Sequence, residues 1–207
     1  LRIEFEGTPN VITTPRGSAR APFSATLIWR IDREGRLWFA STDRYRIQRA
    51  DVETGDTLLV IDFDASPVAV SEEERNLEIA QIDSFVQRTG GTTWDQSIIP
   101  ATKPILQQFE LDDQGRLWVR MSSTDSVTAM DVFDQSGRLL ATTSTALPFW
   151  SYDGQLRVRG DHLYAIVRQG IRASVESYTI KNLEVFYGYL RRAPLTEVRS
   201  ALAAVQG

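Results

Sequence analysis

The 207-residue sequence contains no cysteine, which excludes disulfides, thiolate metal sites and cysteine nucleophiles together. Imidazole is almost as scarce. His162 is the only histidine, too few for a zinc site of the usual kind, so any metal would have to be a hard cation held by carboxylates. Lysine is nearly missing too: Lys103 and Lys181 are the only two among 23 basic residues, and six arginines fall between Arg30 and Arg49. Acidic residues are interleaved with that cluster and the net charge is −4, so attraction to phosphate is weak and nucleic acid is not an expected partner. No apolar run approaches the roughly 18 residues that a spanning helix needs. The chain starts at Leu1 and shows no signal-peptide pattern. No glycine loop suited to cradling a phosphate is present, and no cofactor or metal is expected.

What is present is a repeat. Leu27 to Ala40 reads LIWRIDREGRLWFA and Gln107 to Arg120 reads QQFELDDQGRLWVR. The two copies share Asp, Gly, Arg, Leu and Trp at matched places, with Trp29 matching Phe109 and Ile31 matching Leu111. Each copy is two alternating runs joined by a short turn, Asp32 to Gly35 or Asp112 to Gly115, which is how an antiparallel hairpin reads. Aspartate suits the first turn position and glycine the position with positive φ. A second turn follows each first one, at Gly55 and Gly137, so each copy extends to four strands. A degenerate third copy is expected in Gln155–Arg159, His162–Arg168, Val175–Ile180 and Leu183–Tyr189, where Tyr164 takes the tryptophan position 46 residues after Trp118. Four-stranded units recurring at about 40 to 50 residues are the pattern of propeller blades.

The expected fold is therefore all-β, about three four-stranded meanders of a partial or open β-propeller. Residues 22–64, 105–145 and 149–190 form the blades, and residues 1–20 form the end of a preceding blade and a loop. Trp38 and Trp118 lie 80 residues apart, more than one blade, so residues 68–104 are read as a helical insertion. There Ser71 and Glu74 make a capping box, Leu77, Ile79, Ile82, Phe85 and Val86 supply a roughly helical stripe, and Gly90-Gly91 ends the helix. Residues 194–205 read as a short tail helix.

These residues carry a resemblance. The GRLW repeats, the Pro67-Val68 and SEEER stretch opening the insert, and Lys103-Pro104 before the next repeat resemble the C-terminal half of bacterial six-bladed, NHL-like propeller proteins, over about Pro22 to Ile180. The resemblance implies an exported or membrane-attached protein, in the periplasm or at a membrane, and a family most of whose members have no assigned activity. After Ile180 the sequence departs from that pattern.

Candidate chemistry is sparse. Trp38 and Trp118 sit on alternating strands where a large ring fills the space between blades, so core packing is preferred to ligand stacking. Asp32, Asp112 and Asp113 suit turns better than calcium, because an isolated D-x-x-G lacks the dense oxygen spacing of a calcium loop. His162 is placed at a hairpin turn with no serine-plus-acid pattern near it. Asp131, Asp134 and Asp153 are carboxylates that could converge at one mouth. An aromatic group, Phe149, Trp150 and Tyr152 with Phe186, Tyr187 and Tyr189, flanked by Arg191 and Arg192, matches the composition of protein interfaces. The expected role is a non-enzymatic scaffold subunit docking on an extracytoplasmic protein, on the soluble face of a membrane complex or on the missing half of the same propeller. The alternative is a propeller hydrolase, lyase or small-ligand sensor with carboxylates at the central channel.

Overall fold

The computed structural model describes residues 10–123, 128–145, 156–160, 162–169 and 172–179. The strand expected near Leu1 to Phe5, the fourth strand at Leu183–Tyr189 and the tail helix lie outside the described residues.

Among the described residues the chain is mostly β, a two-stranded hairpin followed by three antiparallel sheets, with one α-helix. A hairpin, β1 (Val11–Thr14) and β2 (Gly17–Arg20), comes first. Residues 1–20 are expected to be the end of a preceding blade and a loop, but Thr14-Pro15-Arg16-Gly17 is sound turn chemistry for a hairpin: proline presets φ at the second position and glycine follows two residues later. The first four-stranded meander is β3 (Leu27–Ile31), β4 (Leu37–Ser41), β5 (Arg46–Ala50) and β6 (Thr57–Asp62), hydrogen-bonded in that order.

The helix α1 (Glu72–Arg88) follows, and after it the second meander, β7 (Leu106–Leu111), β8 (Leu117–Met121), β9 (Thr128–Phe133) and β10 (Leu139–Thr145). The third sheet contains β11 (Leu156–Arg159), β12 (His162–Gln169) and β13 (Arg172–Thr179).

The capping box forms as expected: Ser71 accepts from the Glu74 amide and the Glu74 carboxylate accepts from the Ser71 amide. One part of the stripe fails. Ile82 and Val86 are buried, but Leu77 is 56% exposed. At roughly 100° per residue Leu77 lies about 140° around the helix from Ile82, so the two cannot share a face. The helix packs instead on the first hairpin, where Ile82 and Val86 join Ile12 and Ala21 in a small core with Phe85, Trp94 and Ile98 against it. This core is distinct from the one between the meanders.

That larger core is where the two meanders meet face to face. Trp38, Ala40, Tyr45, Ile47 and Ile61 of the first sheet pack on Leu106, Phe109, Leu117, Val119 and Phe133 of the second. Strand alternation decides this, since residues two apart share a face. Tyr45 meets Phe133 edge to face with centroids 6.4 Å apart, and its hydroxyl donates to Asp131 of the second sheet at 2.8 Å.

Candidate functional site

The repeated turns explain the repeated aspartates. Gly35 and Gly115 both adopt positive φ, +79° and +75°. Oδ1 of Asp32 accepts from the amides of Glu34 and Arg36, and Oδ2 accepts from Nε1 of Trp38 at 3.1 Å. Asp112 does the same with Gln114, Arg116 and Trp118, and its Oδ2 also pairs with Nε of Arg116 at 2.6 Å. Trp38 and Trp118 are both buried. Asp134 repeats the turn half of the arrangement, accepting from the amides of Ser136 and Arg138. Burial pushes the Asp134 carboxyl up, but hydrogen bonds from the Ser136 side chain, from Arg138 and from the turn amides outweigh it and hold it below the usual carboxylate range. These carboxylates are thus committed to turns and indoles.

A second row was hidden in the repeat. Arg30 lies opposite Trp38, Glu110 opposite Trp118 and Arg157 opposite Tyr164, so the three occupy one repeat position on the first strand of three successive sheets. Glu110 is buried and binds both neighbours, Arg30 Nε at 2.9 Å and Arg157 Nη1 at 2.5 Å. The third sheet is tied on by the Gly160 amide, which donates to Asp113 at 3.1 Å, and by Arg159, which donates to the Leu111 carbonyl at 3.3 Å. Beside this row a cleft of about 330 Å³ opens, lined by Arg30, Arg33, Arg49, Glu110, Asp113 and Arg159 among others. Its cations and carboxylates are intermixed, and Arg49 is laid over the Trp38 ring at 5.1 Å with Nη1 donating to the Gln135 carbonyl.

The other candidates are dispersed. Asp131 lies in the contact between the meanders, accepting from Tyr45 and Thr142, while Asp134 closes a turn; Asp153 lies outside the described residues. His162 begins β12 and stacks on Tyr164 with centroids 6.1 Å apart. Arg120 is buried in the second sheet, and that burial lowers its pKa to about 10, still cationic at neutral pH. Among the described residues no group of three or more His, Asp or Glu is placed to hold a metal. The aromatic group Phe149, Trp150, Tyr152, Phe186, Tyr187 and Tyr189, with Arg191 and Arg192, lies outside the described residues.

The structure brings a different apolar surface forward. Trp29, Phe39, Gln48 and Val60 form one row across the first sheet, on the face opposite the core. Their equivalents in the second sheet are Phe109, Val119, Asp131 and Thr142, also one row. There the first sheet covers the row, and Phe109 is 1% exposed. In the first sheet Trp29 is 54% exposed, Ile31 56% and Val60 39%. The signal was in the sequence, as the match of Trp29 to Phe109, but it says only that both residues belong to the same kind of face. The chain matches no protein-family model and no curated protein. No helix among the described residues is long and apolar enough to cross a membrane.

Proposed function

We propose that this chain is part of a β-propeller, its meanders serving as blades, and that it works as a non-enzymatic scaffold subunit docking on a protein. The observation that carries the reading is the open row on the first sheet: a repeat position that is fully buried at Phe109 is more than half exposed at Trp29. Apolar area left in water costs roughly 25 cal/mol per Å², and protein surfaces seldom keep a contiguous patch of this kind without a use for it. The proposal of an extracytoplasmic site of action, at the periplasm or on a membrane complex, rests on the resemblance to exported propeller proteins. A second contact through Tyr187 and Tyr189 belongs to the same proposal.

The channel-type alternative draws no support from the first strands of the sheets, where Glu110 of β7 is held by two guanidinium groups. The test is association. Changing Trp29 and Val60 together to serine should leave the fold intact by near-ultraviolet circular dichroism, since both side chains already face outward, while weakening the native assembly in light scattering. A native protein that is monomeric, with Trp29 freely quenched by acrylamide, would remove the basis of the reading.

A further inference from the structure

We propose that the cleft beside the Arg30, Glu110, Arg157 row binds a small dicarboxylate that carries a hydroxyl group. The site lies at the turn ends of the first two meanders and does not depend on the open face of the first sheet.

Its charges are not balanced. The lining holds five carboxylates, Asp32, Glu34, Glu110, Asp112 and Asp113, and the first four are already engaged. Asp32 and Asp112 serve their turn amides and indoles, and Asp112 also takes Arg116. Glu34 pairs with Arg36, and Glu110 is shared by Arg30 and Arg157. Three further arginines of the lining, Arg33, Arg49 and Arg159, make no ion pair among the described residues. With Arg36, Arg116 and Arg157 counted from behind the lining, seven guanidinium groups meet five carboxylates, and two positive charges are left over. An anion is therefore the fitting ligand, and one with two charges restores neutrality.

The anion should be a carboxylate. Guanidinium forks match carboxylate and phosphate alike, but phosphate sites draw on a cradle of backbone N–H groups as well. Here the amides of Glu34, Gly35 and Arg36 are bonded to Asp32, and those of Gln114, Gly115 and Arg116 to Asp112. No such cradle remains at the two turns.

Two buried atoms of lining residues have no hydrogen-bond partner, Nε of Arg49 and Oδ1 of Asp113. One is a donor and the other an acceptor. Asp113 uses only Oδ2, for the Gly160 amide, and Arg49 is otherwise held by the Trp38 ring and the Gln135 carbonyl. A carboxylate oxygen next to a hydroxyl satisfies both, with a small turn of each side chain as the ligand enters. Ile31 and Leu111 give the wall a short apolar stretch for the carbon chain, and the volume of about 330 Å³ suits a small molecule.

The test is isothermal titration of the native protein at low ionic strength with malate, with succinate and with inorganic phosphate. Malate should bind saturably and more tightly than the other two. The Arg33 side chain is exposed and unpaired among the described residues, so Arg33→Gln leaves the fold alone, which a thermal melt checks. It should weaken malate about tenfold through loss of one charge-assisted contact. Asp113→Ala should erase the preference for malate over succinate. No binding of malate at millimolar concentration, phosphate binding as tightly as malate, equal affinity for succinate, or an unchanged affinity in Arg33→Gln overturns the proposal, and each leaves the docking reading as it stands.

Discussion

Trp118 donates its indole N–H to Asp112 Oδ2 at 2.9 Å, and that carboxylate is the same one that closes the turn six residues earlier. Turn and core are therefore not separable at this site. Replacing Asp112 with alanine removes one acceptor shared by the indole N–H, the Arg116 guanidinium and two turn amides. Loss of one partner of a buried charged pair costs about 3 to 5 kcal/mol. Asp32→Ala should cost less, about 1 to 2 kcal/mol, because the turn there is more exposed and no Arg36 contact to Asp32 parallels that of Arg116. Urea denaturation of the two variants, compared by midpoint at constant slope, checks the order.

Gly35 and Gly115 allow a finer comparison. Both need positive φ, which costs a non-glycine residue about 1 to 2 kcal/mol. At Gly35 a Cβ meets nothing within 4 Å, whereas at Gly115 it would come within 2.6 Å of Gln135 Nε2, the group that donates to the Gln114 carbonyl. Gly115→Ala should thus be the more damaging change in thermal melts, and adding Gln135→Ala should narrow the gap.

Glu74 and Glu78 should respond to pH in opposite senses. At Glu74 burial raises the pKa but hydrogen bonds from Lys103 and Ser71 outweigh it, and the net shift is downward. Its contribution is present above the unfolded value near 4.5 and is lost as pH falls through the lower folded value. Burial alone raises the pKa of Glu78. Its protonated form favours the fold below pH 4.5, and that advantage disappears as pH rises through the raised folded value. Glu78→Gln should therefore stabilise the helix region at pH 7, while Glu74→Gln destabilises it there. Both differences should shrink as pH falls below the unfolded value near 4.5, which hydrogen exchange at neutral and at acid pH would show.

Much of this was legible because the informative signals are local. The Asp-x-x-Gly turn is four residues, the indole clamp spans six, and the Ser71 to Glu74 box spans three, so the meanders and the helix could be read from spacing. The contacts that position the sheets are not local. Tyr45 meets Asp131 at a separation of 86 residues, and the Arg30, Glu110, Arg157 row changes sign at each step, so it does not look like a repeat position at all. The exposure of Trp29 was illegible for another reason. Sequence tells which residues share a face but not which face is covered.

Changing Glu110 to glutamine should accordingly weaken two contacts between sheets at once. The two guanidinium groups are each a third or more exposed, so water recovers part of the loss, and a cost of about 1 to 2 kcal/mol is expected. A double-mutant cycle with Arg30→Met and one with Arg157→Met should each show coupling to Glu110, with additivity between the two arginines when Glu110 is absent.

Glu110 also sets how the molecule comes apart. Its partners lie 80 residues before it and 47 after it, so the two contacts close long loops that must be paid for in entropy before either is made. Opening the first or the third sheet breaks one of them and leaves a buried carboxylate half satisfied, which weakens the hold on the other sheet. Excursions of the three sheets are thereby linked. The amides of β7 and β8, at the centre of that linkage, should exchange with solvent only when the whole assembly of sheets opens, and should be the slowest in the chain.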